Sequence, residues 1–321
     1  MQKKNQSLIS STFSFLRKPQ DLPKIDESFF RKFWDVLRIW GGQMSIVLLV
    51  SLTVSFLLIS LGYQGDHKVG QLISEGNIFL VLFLIAVYAP IVEELTFRTW
   101  LKYSPGRVAI SIGFMSYLIF NILLEGPLNF FVQNLSGLAS LGPLLIIFGV
   151  FLIVTLSVYG LLRIPAINKQ VEKIYHRYYF WIFYLTVMIF GALHLGNYLD
   201  LGNLIFLAPL LFLPQILAAL VLGFVRVRYG LAWSILVHFL INFLAGASAL
   251  IPRLGSEELQ TYLNRQDTAT NGNFMESISS FSTFDILVLI ATNLYLITYF
   301  MFIFFLTVLL FLDHYQHKKQ A

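Results

Sequence analysis

The chain contains no cysteine. Disulfides, thiolate metal ligands and cysteine nucleophiles are therefore excluded. Charge is almost as scarce: Asp, Glu, Lys and Arg make up 12% of the 321 residues, against about 25% in soluble domains. A cleavable signal peptide is not expected, because the first forty residues are polar and basic and lack a short apolar core before a small-residue cleavage site. Internal repeats, low-complexity tracts and a second soluble domain are missing as well. The Asn134-Leu135-Ser136 triplet has the form of a glycosylation sequon, but such triplets are common by chance.

Apolar sequence fills the space. Hydrophobic residues account for 57% of the chain, with 31 Phe and 15 Tyr suited to lipid contact and interfacial anchoring. A transmembrane helix needs about 20 apolar residues. Eight stretches meet that need, at roughly 42–62, 78–101, 107–124, 143–163, 179–199, 203–225, 231–251 and 285–312. The loops between them alternate in charge. Of the 22 basic residues, all but Lys68, Arg253 and Arg265 fall in segments on one side, which the positive-inside rule makes cytoplasmic. The net charge of +5 is thus explained by topology, and a nucleic-acid partner is not expected. The expectation is an all-α, polytopic membrane helix bundle of about eight transmembrane helices, with both termini cytoplasmic. Residues 1–41 form a cytoplasmic basic segment, in which Phe29, Phe30, Phe33, Trp34, Leu37 and Trp40 suit either an interfacial helix or a flank to the first span. Residues 42–312 form the transmembrane domain, and 313–321 a cytoplasmic tail. The polar loop from Pro252 to Asp285 is expected outside, helical near Ser256–Leu263. These features fit a bacterial plasma membrane.

Few strongly polar residues enter the spans: Glu93, Glu94 and Arg98 in the second, His194 in the fifth, His238 and Asn242 in the seventh. A carboxylate inside a bilayer costs about 2.5–3.5 kcal/mol on insertion scales, so adjacent glutamates require a partner or a water-filled cavity. Residues four apart share a helix face, which pairs Glu94 with Arg98 and aligns His238 with Asn242. Glu93 is rotated about 100° from Glu94 and is left for another task. Pro90 removes a helical hydrogen bond three residues earlier, which frees a carbonyl and permits a bend. A carboxylate, two imidazoles and an amide suffice to activate water against a carbonyl, with carboxylate and imidazole as base and imidazole and amide as oxyanion donors. Taken singly, each has a structural alternative: an ion pair, a hydrogen-bonded interior histidine, or an amide joining helices.

Glu93-Glu94-Leu95-Thr96-Phe97-Arg98, Phe190-Gly191-Ala192-Leu193-His194 and His238-Phe239-Leu240-Ile241-Asn242 resemble, in order, the three motifs of the CPBP (Abi, CAAX protease) family of intramembrane endopeptidases. The likeness covers roughly 78–247. It departs from the family pattern at Thr99, where glycine is frequent, and in the long interval between the first two motifs, which holds two additional spans. The resemblance implies Glu93 as the base that activates water, Glu94 and Arg98 as its buttress, His194 as a second base, and His238 and Asn242 as oxyanion donors. It also implies a membrane-associated peptide or protein as substrate.

A zinc ion is the candidate cofactor, with Glu93, His194 and His238 as its ligands. The absence of a closely spaced His-Glu-x-x-His motif favours a metal-independent site. One difficulty is depth: on an ideal fifth helix His194 falls on the order of 10 Å from the level of Glu93, at 1.5 Å per residue. The competing readings are a proton-coupled transporter using Glu93, His194 and His238 as a relay, and a non-proteolytic scaffold or immunity protein of the same fold.

Overall fold

A computed structural model describes residues 6–62, 69, 72–73, 76–123, 141–198, 202–260 and 281–320. The Asn134 triplet and residues 261–280 of the long polar loop lie outside these. The described residues form ten principal helices and no strand: α1 (Leu8–Arg17), α2 (Phe29–Ser60), α3 (Ile78–Phe97), α4 (Pro105–Leu123), α5 (Leu141–Leu162), α6 (Pro165–Arg177), α7 (Tyr179–Leu193), α8 (Leu213–Arg228), α9 (Leu231–Leu250) and α10 (Thr283–Gln320). Seven helices among the described residues are long and apolar enough to cross a membrane; the apolar part of α4, Pro105–Phe120, is shorter. Large apolar side chains stand exposed on the outside of the bundle, among them Phe79 at 81%, Phe56 at 75% and Phe304 at 70%. In water such a surface would aggregate; in a bilayer it is the lipid-facing side of helices that satisfy their own backbones. The chain is an integral, multi-pass membrane protein.

The helices differ from the apolar runs at their ends and at one break. α2 begins at Phe29, so the aromatic segment before residue 42 and the first span are one continuous helix. It continues because Val36, Leu37, Ile39 and Trp40 are buried against the bundle. α10 runs through the tail to Gln320. The sixth apolar stretch is not one helix. It passes through a 3₁₀ turn (Gly202–Leu207) and a single turn of helix (Ala208–Leu211) before α8, since Pro209 and Pro214 lack the donors that would carry a helix through.

Central position belongs to α8, which packs on α2, α7, α9 and α1. Small residues set the close approaches. Gly223 on α8 faces Phe183 of α7, where an added Cβ would lie 2.6 Å from the ring, and Gly41 and Gly42 of α2 face Leu306 and Leu310 of α10. α3 lies between α4 and α9, while α5 packs on α4 and α6. The two additional spans thus stand to one side of α3, and α3, α7 and α9 remain free to meet.

The start of α1 and the end of α10 meet at one end of the bundle. The Leu8 amide donates to Asp313 Oδ2 at 3.0 Å, and Ser7 Oγ lies 2.8 Å from His314 Nδ1. From α1 the chain crosses this end as an extended strap. Asp21 pairs with Lys102 at 2.5 Å, and the Ile25 amide donates to the Arg228 carbonyl at 3.0 Å. Partial burial lowers the Lys24 ammonium below its ordinary range, with Arg226, Arg107, Lys102 and Lys32 adding to the effect. That concentration of positive charge marks this end as the one expected to face the cytoplasm.

Candidate active site

The site is built on the last turns of α3. A helix leaves its final carbonyls without intrahelical donors, and buried ones must find partners elsewhere. Here four consecutive carbonyls are satisfied from three other helices. Arg226 of α8 donates from Nε to the Arg98 carbonyl (2.8 Å) and from Nη2 to that of Thr99 (3.0 Å). The Tyr175 hydroxyl donates to the Trp100 carbonyl (2.8 Å) and the Tyr179 hydroxyl to that of Leu101 (3.0 Å). Ser111 of α4 adds a hydroxyl that donates to the Leu95 carbonyl (3.0 Å) and accepts from the Trp100 amide (3.1 Å). This collar fixes the position and rotation of the segment bearing Glu93, Glu94 and Arg98. Burial pushes the Tyr175 phenol well above its ordinary range, with Tyr179 and Asp21 contributing.

Glu94 and Arg98 are both fully enclosed and pair along the helix, with Arg98 Nε 3.5 Å from Glu94 Oε1. The guanidinium lies 4.0 Å from the centre of the Phe190 ring on α7, where the ring face stabilises a cation. The same Glu94 oxygen lies 3.0 Å from Nδ1 of His238. An ionised carboxylate only accepts, so this contact places a proton on Nδ1. Nε2 of the ring faces Glu93 Oε2 at 3.6 Å. Glu93 is partly accessible, its side chain 23% exposed. Its Oε2, the second Glu94 oxygen and both terminal nitrogens of Arg98 are buried and make no hydrogen bond to the protein. Buried polar atoms of this kind call for water or a ligand.

Four of the six residues marked in the sequence, Glu93, Glu94, Arg98 and His238, therefore meet directly. Glu94 supports His238 rather than its neighbour Glu93. His194 approaches through an aromatic ring: its imidazole lies 4.8 Å from the Phe190 ring, which in turn lies 5.9 Å from that of His238. α7 ends at Leu193 and His194 opens a 3₁₀ turn, with Nδ1 2.8 Å from the Phe190 carbonyl. A carbonyl cannot donate, so Nδ1 carries the proton and Nε2 is left with a lone pair. Asn242 sits one turn beyond His238 on the same face of α9, and its Nδ2 donates to the Ile85 carbonyl of α3 at 3.0 Å.

Among the described residues no three His, Asp or Glu side chains converge at metal-binding spacing. His194 stands a ring away from the Glu93–His238 contact, while the Nδ1 contacts of His238 and His194 leave each Nε2 turned elsewhere. As arranged, Glu93, His194 and His238 do not converge on one point as three zinc ligands would.

Ser234 and Arg226 escaped the sequence reading as site residues, and Phe190 entered it only as the first residue of its motif. Ser234 lies one turn before His238, is fully buried and stands beside the Glu94 carboxylate. The same four-residue spacing that joined His238 to Asn242 would have found it. Arg226 reads in sequence as a loop charge, yet it is 3% exposed. No local pattern distinguishes it from Arg228.

Apolar helices thus close on a group of Glu94, Arg98 and His238, with Glu93 at its accessible edge. A model of the type II CAAX prenyl endopeptidase Rce1-like family matches residues 75–244, and the chain belongs to that family. The matched stretch contains all three motifs, from Glu93 to Asn242. Neither a curated protein nor a solved structure matches the chain.

Proposed function

We propose that the protein hydrolyses a peptide bond of a membrane-anchored substrate near the cytoplasmic side of the bilayer, using water activated by Glu93. The observation that carries this reading is the facing of Glu93 Oε2 and His238 Nε2 at 3.6 Å, with the carboxylate oxygen buried and lacking a protein partner. A water donating to Glu93 would satisfy it and be polarised for attack. Glu94 holds His238 by Nδ1, so Nε2 points to where a scissile carbonyl would develop charge, and it donates there when protonated. His194, with a free Nε2 lone pair, serves as the second acceptor for water. In this reading the water is activated by Glu93 and His194 without a metal. The family name suggests a prenylated carboxy-terminal segment as substrate.

The test compares new peptide termini in membranes of cells carrying wild type or Glu93→Gln at equal abundance. Cleavages present with wild type alone are expected, and a peptide reporter ending in a prenylated cysteine and three further residues should be cut by the purified protein. Identical termini from both folded proteins would instead favour a scaffold or a transporter.

A further inference from the structure

We infer that Asn242 is a positioning residue, which locks a π turn in α3 and so sets the rotation of Glu93 and Glu94 toward His238. The inference rests on the proposed function only for the task it gives those carboxylates.

α3 is not α-helical throughout. Residues Leu84–Tyr88 form a π turn, and the Ala89 amide closes it by donating to the Leu84 carbonyl, five residues back. One residue further on the pattern would take the amide of residue 90 to the carbonyl of Ile85. Residue 90 is proline and has no N–H. The α-helical alternative is gone too, because Ala89, four residues after Ile85, has its amide on Leu84. Ile85 is thereby deprived of both backbone donors in a setting where an unsatisfied carbonyl is expensive. Asn242 Nδ2 supplies the missing donor at 3.0 Å. The helices are close enough for this because Gly246, one turn along α9, faces Leu82 and Ile85, where an added Cβ would lie 3.4 and 3.8 Å from their side chains.

A π turn inserts one residue into the helical repeat. It rotates everything that follows by about 100° relative to an uninterrupted α-helix. That is the angle separating Glu93 from Glu94. If the turn relaxed, the oxygen now 3.0 Å from His238 Nδ1 would swing away by a full residue position. The collar at Arg98–Leu101 holds one end of the segment, and Asn242 holds the other. One amide hydrogen of Asn242 is committed to this contact, and through it Asn242 acts on the carboxylates.

Hydrogen exchange on the full-length protein in nanodiscs reads α3 directly and needs no activity. Asn242→Ala is expected to speed exchange across residues 84–98 by about tenfold, the factor for losing one buried hydrogen bond. Adding Pro90→Ala should return it most of the way, because alanine at that position brings the N–H that the Ile85 carbonyl lacks. Unchanged exchange in Asn242→Ala, or equal exchange in the single and double variants, overturns the inference. Should Asn242→Ala fail to accumulate, the double variant decides: its accumulation supports the inference and its failure overturns it. On the peptide reporter, Asn242→Ala should also displace the acidic limb of the rate–pH profile, since the environment of Glu93 changes. A uniform drop in rate with the limb in place would mean that Asn242 acts as an oxyanion donor alone. Failure of the wild type to cut any peptide would remove the proposed function and leave the exchange result to decide the inference.

Discussion

Nδ1 of His238 lies 3.0 Å from one oxygen of Glu94, while Nε2 of the same ring faces Glu93 at 3.6 Å. One imidazole thus joins two adjacent glutamates of opposite character. Glu94 is sealed and paired; Glu93 is partly accessible, and its Oε2 lacks a hydrogen-bonded protein partner.

Substitution should separate the two. Glu93→Gln is expected to lower cleavage by about 10²–10⁴-fold, the usual contribution of a general base, with little change in the unfolding midpoint. Glu94→Gln leaves Arg98 as an uncompensated buried cation and should destabilise by about 3–5 kcal/mol. Replacing both partners, as Glu94→Leu with Arg98→Met, should recover most of that stability but not the cleavage. Thermal unfolding in detergent beside peptide turnover checks all three. Equal loss of stability in the two single variants would contradict the division of labour.

Arg226 donates to the carbonyls of Arg98 and Thr99. Hydrogen bonds from a charged group contribute about 1.5–3 kcal/mol each, and Arg226→Ala should therefore be among the most destabilising single changes. Arg226→Lys keeps the charge but lacks the planar fork that spans two acceptors, so it should restore only part of the loss. Full recovery with lysine would mean that charge, not geometry, is what the collar needs.

Alkaline pH should weaken the fold through Tyr175. Its folded-state phenol is raised above the ordinary value by burial. From about pH 10 upward the unfolded chain releases this proton and the native protein keeps it, so stability falls as pH rises, by up to ~1.4 kcal/mol per unit. Tyr175→Phe should be less stable at neutral pH, having lost the bond to the Trp100 carbonyl, yet show a shallower alkaline decline. Parallel declines in the two proteins would locate the effect elsewhere.

Gly230 caps α9 with φ +119°, a conformation that strains any side chain. Gly230→Ala should destabilise by about 1–2 kcal/mol. The added Cβ itself meets only the flexible end of Lys24 at 3.4 Å, so the penalty is one of backbone. Because α9 carries Ser234, His238 and Asn242, turnover should fall together with stability. An unchanged midpoint would show that the α8–α9 junction adapts.

Much of the protein was legible in its sequence for a local reason. Insertion into a bilayer depends on runs of about 20 apolar residues, and eight such runs lie close to helices in the structure. The i, i+4 spacing likewise foretold the Glu94–Arg98 pair, because both residues ride one helix. Pro90 announced a freed carbonyl, but not its identity. An α-helix would release the carbonyl of Ala86; the π turn transfers the vacancy to Ile85, and only α9 packed alongside reveals that Asn242 fills it. His194, expected at a different depth from Glu93, follows a break after Leu193 and is separated from His238 by the Phe190 ring.

The sequence by itself determined a multi-pass helical membrane protein, the sidedness its charges favour, and the residues available for chemistry. Composition and periodicity act within one segment, and the bilayer enforces them segment by segment. The tertiary structure decided that His238 lies between the two glutamates, with Nδ1 on Glu94 and Nε2 facing Glu93. It also turned Arg226 from a loop charge into the clamp of α3, and Asn242 from a donor in waiting into the partner of a backbone carbonyl. Those outcomes depend on the depth and rotation of one helix against another, and a single π turn, worth about 100°, is enough to change them.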